Sequence, residues 1–212
     1  MNYEFTIKVC GMRDADNIRA VEALGVDWMG FIFHPASPRF VDSVPAYLPH
    51  KAKRVGVFVN AELDYVRRIV DTFGLDIVQL HGSESPAYLA ALSDLTIIKA
   101  INIASAADFQ KTEAYNGFAD FFLFDTKAKL AGGNGTQFDW DLLQDYSGQT
   151  PFLLSGGIGP DDVQRLRDFH HPQLAGIDLN SRFELSPALK DTDMLQQFID
   201  KFKKAYRPLL TL

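Results

Sequence analysis

The chain has one cysteine, Cys10, and it stands where the alternating apolar run TIKVC stops at Gly11. A thiol at such a point is either a small buried hydrophobe or a proton acceptor, and a neighbouring glycine leaves room for a ligand to approach. The second candidate for proton chemistry is Asp125, which closes the run FFLF. A carboxyl amid so much apolar surface is a candidate to stay protonated near neutrality, the state a general acid needs. Bonding to backbone amides of the next loop is the plain alternative. Gln79 and His81, in VQLHG, are candidates for substrate contact, although a histidine at a strand end serves equally well as a structural hydrogen-bonding cap. Arg39, in SPRF, carries a planar fork that can hold a carboxylate through two bonds, or it can be a solvated loop charge.

Two further turns suggest an anion. Gly156 and Gly157 follow PFLLS, and Asp178, Asn180 and Ser181 follow LAGI. Backbone amides freed by glycine bind phosphate without a cationic side chain, which makes Gly156, Gly157, Asn180 and Ser181 candidate phosphate contacts, with Asp178 grouped in the same turn. The segment 126–137 is glycine-rich and long enough for a lid, or is a connection without a catalytic part. No set of His, Cys, Asp and Glu has metal-site spacing, and His170-His171 reads as surface loop, so no metal is expected.

These residues need elements to position them. Apolar runs of strand length recur at 5–10, 28–33, 54–59, 76–81, 95–100, 120–125, 151–156 and 174–179. Their near-continuous hydrophobicity fits strands covered on both faces, as in a parallel sheet. Helical spacing falls between them at 14–24, 61–73 after Asn60 as a possible N-cap, 86–92, 139–143, 161–169 and 193–205, with 104–112 weaker. The stretch 41–50 is doubtful as a helix because Pro45 and Pro49 interrupt it. Alternating strands and helices imply an α/β protein, and eight repeats imply a closed (β/α)8 barrel over residues 1–212 as one domain; an open doubly wound sheet is the alternative. In such a barrel the ends of the strands carry the chemistry, and the loops after strands seven and eight are the usual phosphate site.

Composition narrows the partners. Hydrophobic residues are 47% and charged residues 23% of the 212, enough apolar material for a large core. The formal charge of -6 gives no basic field for nucleic acid or an anionic membrane. A single cysteine makes no internal disulfide, and no leader or spanning run is evident, so a cytoplasmic protein acting on a small phosphorylated molecule is expected.

The pieces KVCG (8–11), GFIFHPASPRFV (30–41), VQLHG (78–82), FDT (124–126), GGNGTQFDW (132–140) and LSGGI (154–158) stand in the order found in phosphoribosylanthranilate isomerases. The chain resembles that tryptophan-pathway family along nearly its whole length. The resemblance implies an Amadori rearrangement of N-(5-phosphoribosyl)anthranilate without cofactor or metal, by a monomer or homodimer. It implies Cys10 as general base, Asp125 as general acid, Arg39 on the anthranilate carboxylate, and the loops after strands seven and eight on the phosphate. Other phosphosugar barrels, built on two aspartates or a lysine acid, and a non-catalytic phosphometabolite-binding barrel are the competing readings. One departure stands out: Arg182 replaces a family glycine after strand eight, and would strain the loop if that position needs a positive φ, or would add charge near the phosphate.

Overall fold

The computed structural model describes residues 5–125 and 140–206; the suggested lid at 126–137 lies outside them. Eight parallel strands close into a barrel in sequence order: β1 (Thr6–Cys10), β2 (Trp28–Ile32), β3 (Lys53–Phe58), β4 (Ile77–Leu80), β5 (Thr96–Asn102), β6 (Phe121–Asp125), β7 (Phe152–Ser155) and β8 (Leu174–Leu179). Closure is made by β1 against β8, with Thr6 opposite Gly176 and Lys8 opposite Asp178. Each predicted run is therefore a strand, and the open sheet is set aside.

The strands alternate between two apolar layers, as the two-residue repeat of a pleated strand requires. Trp28, Val55, Ile77, Ile98, Leu123 and Leu153 meet inside the barrel. Val9, Phe31, Val78, Ile97, Phe122, Phe124 and Ile177 point outward into the layer shared with the helices. Each side chain so enclosed contributes about 1.5–3 kcal/mol relative to exposure. Toward the C-terminal mouth most inward positions become polar, with Ile32 and Val57 the apolar exceptions on β2 and β3, and that change of character makes the site.

The helical layer consists of α1 (Ala15–Ala23), α2 (Leu63–Phe73), α3 (Pro86–Ala90), the short α4 (Gln110–Glu113), α5 (Val163–Asp168) and α6 (Thr192–Tyr206), with a 3₁₀ segment at Trp140–Asp145. Asp14 caps α1 by accepting from the Asn17 amide at 2.9 Å, and Ser85 caps α3 ahead of Pro86. Asn60 is not the N-cap of α2. The helix starts at Leu63, while Asn60 takes a φ of 49° and its side-chain oxygen accepts from the Ser83 amide at 2.8 Å. Asparagine tolerates that conformation, so it joins two loops at the mouth instead.

No helix covers the barrel between β2 and β3. Glu22 of α1 substitutes for one: its carboxylate accepts from the amides of His50 at 2.7 Å, Lys51 at 2.6 Å and Ala52 at 3.2 Å, and from the Tyr47 hydroxyl. A small hairpin, β9 (Glu184–Ser186) with β10 (Leu189–Lys190), follows β8 and was not foreseen. Among the described residues no helix is long and apolar enough to cross a membrane.

Candidate active site

Cys10, Gln79, His81, Asp125, Gly156, Gly157, Asp178, Asn180 and Ser181 line a single cleft at the C-terminal mouth. Residues from five strand ends thus converge, because inward positions at equivalent height on neighbouring parallel strands face a common axis.

Cys10 ends β1 and is 3% exposed. Its sulfur needs the space that Gly30 leaves, since a Cβ there would lie 2.6 Å from Sγ. Two residues earlier on the same inward face, Lys8 is fully buried and its ammonium donates to Asp178 Oδ1 at 2.8 Å. Burial pushes the Cys10 thiol up; Lys8 pulls it down, Asp178 adds to the rise and Lys190 opposes it, and the balance stays above the ordinary thiol value. Burial pulls the Lys8 ammonium down, but Asp178 and Cys10 outweigh it and hold it above its ordinary value.

Asp125 ends β6 and faces His81, with Nε2 3.4 Å from Oδ2. The apolar surroundings expected from FFLF are not on its side of the strand. Phe122 and Phe124 point into the helical layer, and Asp125 turns the other way into the mouth, about one-seventh exposed at 15%. Gln79 Nε2 lies 3.0 Å from His81 Nδ1, which fits a tautomer with its proton on Nε2, toward Asp125. Gln79 Oε1 is buried and has no hydrogen-bond partner among the described residues, and the residue lines the cleft.

On the rim between Asp125 and Cys10, Gly156 and Gly157 take φ values of 96° and 73°, a geometry open to glycine, and Asn180 and Ser181 line the same cleft after the neighbouring strand β8. Asp178 is not suited to a phosphate contact. It is 7% exposed, its carboxylate accepts from Lys8 and from Ser155 Oγ at 3.4 Å, and an ionised carboxylate offers only acceptors to an anion. Its place is on the floor of the cleft.

Arg39 stands just outside the lining. Its side chain crosses Gly11, where a Cβ would lie 2.6 Å from Arg39 Cδ. Glu184 occupies most of its fork: Nε donates at 2.9 and 3.1 Å and Nη2 at 2.6 Å. Nη1 has no hydrogen bond among the described residues. Lys190 also donates to Glu184, at 2.6 Å, and to Asn180 Oδ1 at 2.8 Å. Burial pushes the Glu184 carboxyl up, but the bonds from Arg39 and Lys190 hold it below its ordinary value. Arg182 lies in a 3₁₀ turn, and the positive-φ non-glycines among the described residues are Asn60 and Ala188, so the feared strain is absent. Its guanidinium lies beside Gly159, and the residue lines the same cleft as Gly156 and Gly157.

Sequence reasoning missed Lys8, Lys190 and Glu184. Lys8 carried a usable signal, a charge two residues before Cys10 in a run that reads as a buried strand. Glu184 and Lys190 carried none, since their partners come from distant segments.

Comparison with known proteins agrees with this arrangement. Residues 7–201 match the model of the N-(5'phosphoribosyl)anthranilate (PRA) isomerase family. A relative of that name from Parabacteroides distasonis is 49% identical over 92% of this chain and 92% of its own. The crystal structure of phosphoribosyl anthranilate isomerase from Thermotoga maritima superposes with a TM-score of 0.81 at 29% identity, over 95% of this chain and all (100%) of that one. A second solved isomerase, in complex with reduced 1-(o-carboxyphenylamino)-1-deoxyribulose 5-phosphate, gives a TM-score of 0.78 at 27% identity over 95% of this chain and 100% of its own. The closed barrel, the cleft at its mouth and a family match across nearly the whole length lead to one conclusion: this chain belongs to the phosphoribosylanthranilate isomerase family of tryptophan biosynthesis.

Proposed function

We propose that this chain performs the family's isomerisation with Asp125 as general acid and Cys10 as general base, acting on N-(5'-phosphoribosyl)anthranilate in the cleft. Asp125 donates a proton to the ribose ring oxygen, the ring C–O bond breaks, and the anthranilate nitrogen supplies the electron pair that makes C1 an iminium. The Cys10 thiolate then removes the proton from C2, and the electrons of that C–H bond neutralise the iminium to give an enolamine. Tautomerisation yields the ketone 1-(2-carboxyphenylamino)-1-deoxyribulose 5-phosphate, with the atoms of the substrate conserved. No redox change occurs.

The observation that carries this reading is the convergence of Cys10 and Asp125 on one cleft whose rim presents Gly156, Gly157, Asn180 and Ser181. We assign the phosphate to that rim and the anthranilate carboxylate to the free Nη1 of Arg39. Gln79 Oε1 takes a substrate hydroxyl, and His81 holds Asp125 in position through the 3.4 Å contact. The relative solved with the reduced 5-phosphate product supports a ligand of this chemical class. Residues 1–212 act as one barrel domain in the cytoplasm, as a monomer or homodimer; the location is supported by the family's place in amino-acid biosynthesis.

The test is turnover of freshly generated phosphoribosylanthranilate, followed by loss of its fluorescence. Wild type consumes it, while Cys10→Ala and Asp125→Asn each lose about 10²–10⁴-fold in rate, the usual worth of one positioned proton transfer, or about 3–5 kcal/mol. A wild-type protein that leaves the substrate untouched sinks the function. An Asp125→Asn variant at full rate sinks only the acid assignment.

A further inference from the structure

A buried cysteine makes a poor base unless something favours its ionised form, and the floor of the cleft supplies a candidate. Lys8 and Cys10 are alternate residues of β1, so both side chains enter the barrel from the same strand. The Lys8 ammonium is sealed from solvent at 0% exposure. It is fixed from the other side by Asp178, its register partner on β8, at 2.8 Å. An ammonium has three donors and no acceptor, so toward sulfur it can only donate. A thiolate is favoured by a neighbouring ammonium and a neutral thiol hardly at all, and the placement of Lys8 therefore distinguishes the two forms of Cys10.

We propose that Lys8, anchored by Asp178, is a positioning residue that stabilises the Cys10 thiolate and sets the pH at which this base becomes ready. The proposal rests on Cys10 being the base of the reaction above. Asp178 has two effects on the sulfur. Its charge opposes the thiolate, and its bond keeps Lys8 from turning away. The other charged groups that act on Cys10 are Lys190 of β10 and Arg39 from the segment after β2. Both of those cations are drawn upon by Glu184, at 2.6 Å in each case, whereas Lys8 enters the barrel from the same strand face as Cys10. This makes Lys8 the leading source of stabilisation for a thiolate whose sulfur is 3% exposed.

The experiment reads the thiol itself. Because Cys10 is the only cysteine of the chain, the rise of thiolate ultraviolet absorbance with pH, taken against Cys10→Ser, belongs to one group. It is measured for wild type, for Lys8→Met, and for Lys8→Met combined with Asp178→Asn, which removes both charges and leaves no orphaned buried carboxylate. In both variants the onset moves upward by at least about one pH unit, a tenfold loss of thiolate at fixed pH, and the acid limb of kcat/KM moves with it. The double variant answers the question if the single one does not fold. An unchanged onset in the variants overturns the proposal. So does a double variant that regains the wild-type rate and pH profile, because the pair would then serve only to balance buried charge. A wild-type protein whose thiol responds to Lys8 as described, yet which leaves phosphoribosylanthranilate intact, refutes the proposed function and not this pairing.

Discussion

Gly30 shows how little freedom the Cys10 thiol has. A methyl group at that position would lie 2.6 Å from Cys10 Sγ, closer than any carbon–sulfur contact allows, so one of the two must move. The backbone of β2 is fixed by its ladders to β1 and β3, which leaves the sulfur as the part that gives way. Gly30→Ala is therefore expected to fold and to lose about 100-fold in kcat, the scale set by displacing a reacting group by about 1 Å. Thermal unfolding and turnover measured on the same sample check this, and full activity would mean that β2 shifts instead. At this scale the sequence was legible in part. Cys10 and Asp125 could be picked out because each ended an apolar run. The environment of Asp125 could not, because reading FFLFD as one patch ignored that alternate side chains leave a strand on opposite faces. That same alternation would have linked Lys8 to Cys10.

The connection between β2 and β3 has no helix, because Pro45 and Pro49 prevent one, and a carboxylate does the anchoring instead. Burial pushes the Glu22 carboxyl up, but the hydrogen bonds from Tyr47 and from the Lys51, Ala52 and His50 amides outweigh it and hold it below the usual carboxylate range. A group depressed in the folded state stabilises the fold above its unfolded pKa and loses that contribution as pH falls through the folded value. Glu22→Ala should cost about 1–3 kcal/mol at pH 7, as three backbone donors lose their acceptor. In urea unfolding, the gap between wild type and variant should close as pH falls below about 4.3. A gap independent of pH would assign the loss to packing. The eight barrel strands were legible because strands covered on both faces read as continuous apolar runs. The β9–β10 hairpin was not: it is two or three residues per strand, and Leu185 is 68% exposed, so no periodicity marks it.

Across the whole molecule the barrel separates stability from chemistry along its axis, with an apolar interior below and a polar mouth above. All the proposed steps are proton transfers between side chains and substrate, and among the described residues no group of three or more His, Cys, Asp and Glu could hold a metal ion. The rate of isomerisation should thus be unchanged after exhaustive treatment with a chelator, and a loss restored by a divalent cation would show that the proposed mechanism is incomplete. The Arg39–Glu184 clamp marks the limit of what sequence could show, since its two ends lie 145 residues apart and meet only once β1 and β8 close the barrel. The same closure settles how the enzyme responds to oxidants. A sulfur 3% exposed at the base of a narrow mouth is out of reach of the thiol of another folded chain, and the chain offers it no second cysteine. Air oxidation cannot cross-link such a protein through disulfides. Damage can arrive only as small species such as peroxide, which convert the thiolate to its sulfenic acid, and a bound substrate that fills the mouth is also a shield against it.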